Sequence, residues 1–265
     1  MALVALVLAV AGCSSGQPGT AAAPGTSASA TAPAADKAFN ESGRTFTTAQ
    51  WSAIAGSGFK LFITDPLEWS SECSDSSCTA PVNTCAIDPA AVTQIHRAIT
   101  AGLDYAIYTR NPHCLDAAIG KLRTAEPRRP SFVVLDIEPG PSVAPTAAMV
   151  SRARSLGETP VVYGSSGSWC TITGGGCPTG STAFSTLALQ DDEVPSWSVG
   201  FPAPAPAAYP ALRKMPKPYG GWSGYADIEQ QQTNTDIAGM TSPADAVDLD
   251  AVNAAWLTSL SHQAS

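Results

Sequence analysis

Phe132-Val133-Val134-Leu135-Asp136-Ile137-Glu138 is the stretch on which the fold reading turns. Its apolar run from Phe132 to Leu135, closed by Asp136-Ile137-Glu138 and followed by Pro139-Gly140, describes the clearest strand in the chain. Such strands belong to parallel sheets covered by helices, and the flanking sequence agrees. Upstream, Phe59–Thr64 and Tyr105–Thr109 are further short apolar runs. Between them Asp88-Pro89 opens a helix with Asp as N-cap and Pro at the first turn. Val92, Ile95 and Ile99 supply its apolar face, and Gly102 ends it. Residues 115–125 read as the next helix. Downstream come a helix over 144–156, a strand at Pro160–Tyr163, strands at Thr186–Gln190 and Ala226–Gln231, and a terminal helix over Asp248–Leu260. Residues 201–218 are Pro-rich and read as a long surface loop.

Alternating strands and helices imply a parallel sheet with right-handed crossovers. About seven such units in roughly 220 residues fit a (β/α) barrel better than an open sheet. No glycine-rich dinucleotide fingerprint and no GxxxxGK[ST] loop follows any strand. The expectation is therefore an α/β chain of TIM-like barrel type, irregular, with a weak first strand, in a single domain over 39–265, and with no cofactor.

The N-terminal segment reads as something other than fold. Ala2–Gly12 is an uncharged apolar run, too short to span a bilayer and suited to a secretory signal. Leu8-Ala9-Val10-Ala11-Gly12-Cys13 resembles the lipobox of bacterial lipoproteins, which implies lipid attachment at Cys13. An ordinary signal peptide with an incidental Cys13 is the alternative. Residues 13–38 are then a lipidated cysteine followed by a flexible Ala/Pro/Ser/Gly tether, reaching about 25–30 Å. The expected location is the outer face of the bacterial cytoplasmic membrane, lipid-anchored and facing the cell wall. Composition narrows the partners. The chain has 22 acidic and 14 basic side chains, a formal charge of −8. Residues 1–38 contribute only Asp36 and Lys37, so the negative balance sits in the folded part. Nucleic acid, which requires a basic surface, is excluded.

Beyond Cys13, the six cysteines Cys73, Cys78, Cys85, Cys114, Cys170 and Cys177 form an even set, as in exported disulfide proteins. Cys170 and Cys177 flank Gly174-Gly175-Gly176 and read as one pair; the other four allow three pairings. A zinc site from Cys73, Cys78, Cys85 and His113 is the competing reading, with a spacing that matches no standard module. No metal is expected.

Asp136 and Glu138 end the clearest strand and, two apart, project to one side, with Leu135 and Ile137 toward helices. Barrel active groups lie at the C-terminal ends of strands. Two adjacent carboxyls repel when both ionise, which raises one pKa and makes it a general acid, the arrangement that cleaves glycosidic bonds. A carboxyl pair capping a turn reads equally well from D-x-E alone. Glu68 and Asp248 lie at similar positions, though Asp248 or Asp250 also suits a helix N-cap. Trp69, Tyr108, Tyr163, Trp169 and Trp222 lie near the strand ends, where sugar rings stack or core packs.

These segments together resemble the glycoside hydrolase family 25 lysozymes, muramidases with an irregular (β/α) barrel. Ala49–Ile54 with Gly58–Ile63 and Glu68 is similar to that family's "DW…K..G..F…KATEG" segment. Phe132–Glu138 resembles its catalytic D-x-E strand and Pro160–Tyr163 its "P..Y" strand. Gln230–Thr233, Gly239 and Val247–Asp250 are similar to its "WQYT…G…VDLN" ending. The resemblance spans about residues 49–255. It implies Glu138 as general acid, Asp136 steering the sugar or stabilising positive charge, and Asp248 as a third catalytic acid. Glu68, Tyr108, Tyr163 and Gln231 would bind substrate, and wall polysaccharide or peptidoglycan would be the partner. There are departures. The family's G-x-D-x-S first strand has no clear counterpart around Phe39-Asn40-Glu41-Ser42. Gln230 and Gln232 replace its aromatics, and residues 70–87 insert three cysteines. Three functions follow: a lipid-anchored hydrolase of wall glycan, a non-catalytic glycan-binding lipoprotein on the same barrel, or another exported hydrolase. The last would use Gly164-Ser165-Ser166-Gly167-Ser168, which resembles a nucleophile elbow without its final Gly, and one of His96, His113 and His262.

Overall fold

In the computed structural model the described residues are 31–70, 83–137, 146–165, 196–199, 209–214, 222, 224–237 and 247–261. Those from Ala32 onward belong to one unit. In chain order the elements are β1 (Ala35–Asn40), α1 (Thr48–Gly56), β2 (Phe59–Thr64), β3 (Leu67–Trp69), β4 (Asn83–Ile87), α2 (Pro89–Thr100) and β5 (Asp104–Thr109). A 3-10 turn (Pro112–Cys114) leads into α3 (Leu115–Ala125). Then follow β6 (Val133–Ile137), α4 (Ala147–Ser155), β7 (Pro160–Gly164), β8 (Ser196–Val199), β9 (Ile228–Thr235), β10 (Val247–Asn253) and α5 (Ala254–Ser261). No helix among the described residues is long and apolar enough to cross a membrane.

The result is a mixed α/β unit with a curled, mostly parallel sheet. Its hydrogen-bonded order is β1-β10-β9-β8-β7-β6-β5-β2, and β2 pairs with β1 in parallel. From β1 through β2, β5, β6, β7, β8 and β9 every pairing is parallel. β10 runs antiparallel to both of its neighbours, β9 and β1. Eight strand–helix repeats of the complete TIM type are therefore not shown. β3 and β4 form a separate two-stranded arm.

Alternation along the strands divides the core. Phe39, Phe62, Ile107 and Val133 pack with Trp51, Ile54, Ile95, Ile119 and Leu122 of the covering helices. Ala38, Leu61, Ile63, Ala106, Val134, Val161, Ile228 and Val252 form a second cluster inside the curl, with Leu257 and Leu260 of α5. The rings of Phe132, just before β6, and Trp256 lie 5.3 Å apart. α5 thus covers the end where the parallel strands begin, and the opposite end stays open for a site.

Local signals placed several elements well. Asp88 caps α2, accepting from Ala90 N at 2.8 Å, and Gly102 takes the left-handed φ of 90° just beyond it. Three readings are corrected. The helix expected over Asp248–Leu260 is a strand to Asn253 and a helix only from Ala254. Pairing along both β1 and β9 satisfies two backbone edges at once, which outweighs the helical spacing of Val252, Trp256 and Leu260. The tether read over 13–38 ends earlier, because β1 begins at Ala35, and the folded unit starts before residue 39. Neither Asp248 nor Asp250 is an N-cap: Asn253 Oδ1 accepts from Trp256 N at 3.3 Å. The strand expected at Thr186–Gln190 lies outside the described residues, and β8 at Ser196–Val199 takes the next place in the sheet.

Cys85 and Cys114 are joined, tying β4 to the start of α3. This selects one of the three pairings for Cys85 and removes it as a zinc ligand. Cys13, Cys73, Cys78, Cys170 and Cys177 lie outside the described residues.

Candidate functional site

The open end holds a pocket of about 130 Å³ lined by Asn40, Trp69, Tyr108, Arg110, Asp136, Tyr163, Gln230 and Asp248. Six strands and the arm contribute. Asn40 ends β1 and stands opposite Asp248 near the start of β10. Asp136 of β6 stands opposite Tyr163 of β7. Asp136 shares its strand face with Val134, which points inside the curl, so the same alternation that buries Val134 aims Asp136 inward. Asp136 is buried, whereas Asp248 is partly open.

Hydrogen bonds order one wall. The Tyr163 hydroxyl donates to Oε1 of Gln230 at 2.6 Å, and Nε2 of Gln230 donates to Oδ2 of Asp248 at 2.6 Å. Beneath Asn40, its amide donates to Oδ2 of the fully buried Asp250 at 3.0 Å.

Glu41 lies one residue beyond β1, its backbone N–H donating to Ile63 O at 3.1 Å. Burial pushes its carboxyl up to about 7, against the opposing pull of Arg44, whose Nε lies 3.2 Å from Oε2; the charge of Asp248 adds to the rise. Burial also lifts the Tyr108 phenol well above its ordinary value, reinforced by Asp65, Asp136 and Glu41 and opposed by a hydrogen bond with Ser42. Tyr108 therefore stays a neutral hydroxyl.

Asp65, buried just after β2, is driven by burial up to about 7. It accepts from Leu67 N at 2.9 Å, from Asn83 Nδ2 at 2.5 Å, and from the Trp69 side chain. Asn83 Oδ1 in turn accepts from Arg110 N at 3.0 Å, and Asn83 O from Asn111 Nδ2 at 3.1 Å.

Of the residues expected at a site, Asp136, Asp248, Trp69, Tyr108 and Tyr163 line this one pocket. Glu68 is exposed on β3 and is not among the lining residues. Gln231 is fully buried and points elsewhere, its amide donating to Ala211 O and to Glu229 Oε2. Its neighbour Gln230 occupies the pocket wall, because side chains alternate along a strand. Glu138 lies outside the described residues, as do Ser166, Ser168 and His262. His96 lies on α2 with Nε2 2.9 Å from Glu126 Oε2 and 3.1 Å from Ala125 O, and it is not among the pocket residues. No cluster of His, Cys, Asp and Glu among the described residues could hold a metal ion.

Sequence reasoning missed Asn40, Arg110 and Gln230 as site residues. Asn40 was hidden because β1 carries only Phe39 and Ala38 as core residues and follows a tether-like stretch. Arg110, a charge directly after an apolar strand, was a usable signal. No protein-family model matches the chain, and no curated protein matches it.

Proposed function

We propose that the chain is an exported, lipid-anchored protein whose irregular, TIM-like (β/α) barrel hydrolyses glycosidic bonds of peptidoglycan or a related wall glycan by carboxylate acid catalysis, in the manner of family 25 lysozymes. The observation that carries this reading is the meeting of Asp136 and Asp248, 112 positions apart in sequence, with Tyr108, Tyr163 and Trp69 around one open pocket. Glu138, two residues beyond Asp136, would protonate the leaving oxygen. Asp136 would orient the reacting sugar, and Asp248, accepting the Gln230 amide, would face the positive charge that develops on it. Tyr108 would donate a neutral hydroxyl. The Cys85–Cys114 disulfide supports export, since such bonds persist in oxidising compartments.

The test is to incubate the full chain with purified peptidoglycan and identify released fragments by mass spectrometry. Glu138→Gln should lower release by about 10²–10⁴-fold while folding and glycan affinity persist. A second reading, glycan binding without cleavage, is favoured by the lack of a clear counterpart to the family's first-strand Asp, since β1 ends in the neutral Asn40. Saturable binding to wall without release of reducing ends selects it.

A further inference from the structure

Trp69 is the one large hydrophobic side chain that the described residues leave exposed, at 53%, and it lines the pocket. A single exposed apolar residue is ordinary. What sets Trp69 apart is its anchorage. The indole has one donor, its N–H, and donates it to Asp65, a carboxyl only 2% exposed. Burying a carboxyl is costly unless its lone pairs are satisfied. Asp65 takes Leu67 N from the same arm and Asn83 Nδ2 from the opposite strand of the arm. Asn83 then ties the arm to the end of β5 through Arg110 N, and the Cys85–Cys114 bond ties β4 to α3. An exposed ring is thus held by a buried polar knot and a covalent link. This fixing removes the ordering cost that a free surface tryptophan would meet on binding a ligand.

We propose that Trp69 is the stacking wall of a sugar subsite at the pocket rim, taking a pyranose ring by its apolar C–H face, and that Asp65 is its positioning residue. The inference rests on the glycan reading of the pocket and deepens it by naming the subsite and the group that orders it. The binding gain comes from covering the exposed indole face, and the Asp65 bond keeps that face in register with Asp136 and Asp248 across the pocket.

The experiment uses the full chain and a soluble N-acetylglucosamine oligomer, with affinity and tryptophan emission read by fluorescence titration. Trp69→Ala should weaken binding about tenfold. Asp65→Asn should weaken it three- to fivefold and make the emission more open to acrylamide quenching. In the Trp69→Ala background Asp65→Asn should have no further effect on affinity, because it acts only through the indole. If Asp65→Asn does not fold, Trp69→Phe carries the same test at an exposed position: it keeps a ring and loses the N–H, and should bind like Asp65→Asn. Unchanged affinity in Trp69→Ala, wild-type affinity in Trp69→Phe, an equal Asp65→Asn loss with and without Trp69, or no binding by the wild type overturns the proposal. Wall hydrolysis indifferent to Trp69 would leave the catalytic reading standing and this one fallen. Trp69-dependent sugar binding without Glu138-dependent cleavage would do the reverse.

Discussion

Glu41 is a carboxyl that the folded chain holds against its ordinary titration. The unfolded side chain ionises near 4.5 and the folded one near 7, because burial outweighs the attraction of Arg44. Between those values the folded chain keeps a proton that the unfolded chain has lost. Stability from this group is therefore complete below about pH 4.5 and falls as pH rises toward 7. Glu41→Gln should raise stability at pH 8 by on the order of 2 kcal/mol and leave it nearly unchanged at pH 4, as read from urea unfolding midpoints at both values. Asp65 acts in the same direction over the window from 3.8 to about 7, so some pH slope should survive in the variant. None of this was legible in the sequence. Asp136 announced itself by ending an apolar strand. Glu41 and Asp65 are single carboxyls next to short strands, and only the packing around them makes them unusual.

Element boundaries show how local and tertiary preferences compete. α2 was readable because its cap, its apolar spacing and its terminal glycine all lie within the helix's own sequence. The β10–α5 segment was not. Its spacing suits one helix, yet its first half supplies the ladder that both β1 and β9 require, and the switch to helix is set by Asn253. Asn253→Ala should cost about 1 kcal/mol through loss of the cap. In a domain of this size that lowers Tm by about 2–4 °C. Asn253→Ser should recover most of it in a thermal melt followed by circular dichroism. The same alternation explains the exchange of Gln231 for Gln230. A strand shifted by one residue presents its other face, and β10 pairs with β9 through register shifts around Leu249 that sequence does not show.

At the scale of the molecule, the curl of the sheet depends on β1. It pairs with β10 on one side and β2 on the other, and the Tyr209 hydroxyl shares its one proton between Ala38 O and Asp250 O, each 2.9 Å away. A chain beginning at Phe39 keeps only two of the six β1 residues. It should unfold at clearly lower urea concentration than one beginning at Ala32, or fail to stay soluble, because β2 and β10 would then expose unpaired edges; comparing the two by urea titration and light scattering checks this. The linear order of residues carried the class: short apolar strands with helices between them, a parallel-rich sheet, and a carboxylate at the end of the clearest strand. It could do so because strand burial and helix capping are written in neighbouring residues. Which residues meet was set by long-range pairing alone. Asn40, Trp69, Arg110 and Gln230 join Asp136 and Asp248 because strands distant in the chain pair side by side. Which strands pair, and in what register, depends on satisfying every backbone edge around the whole sheet at once, a condition no local stretch of sequence contains.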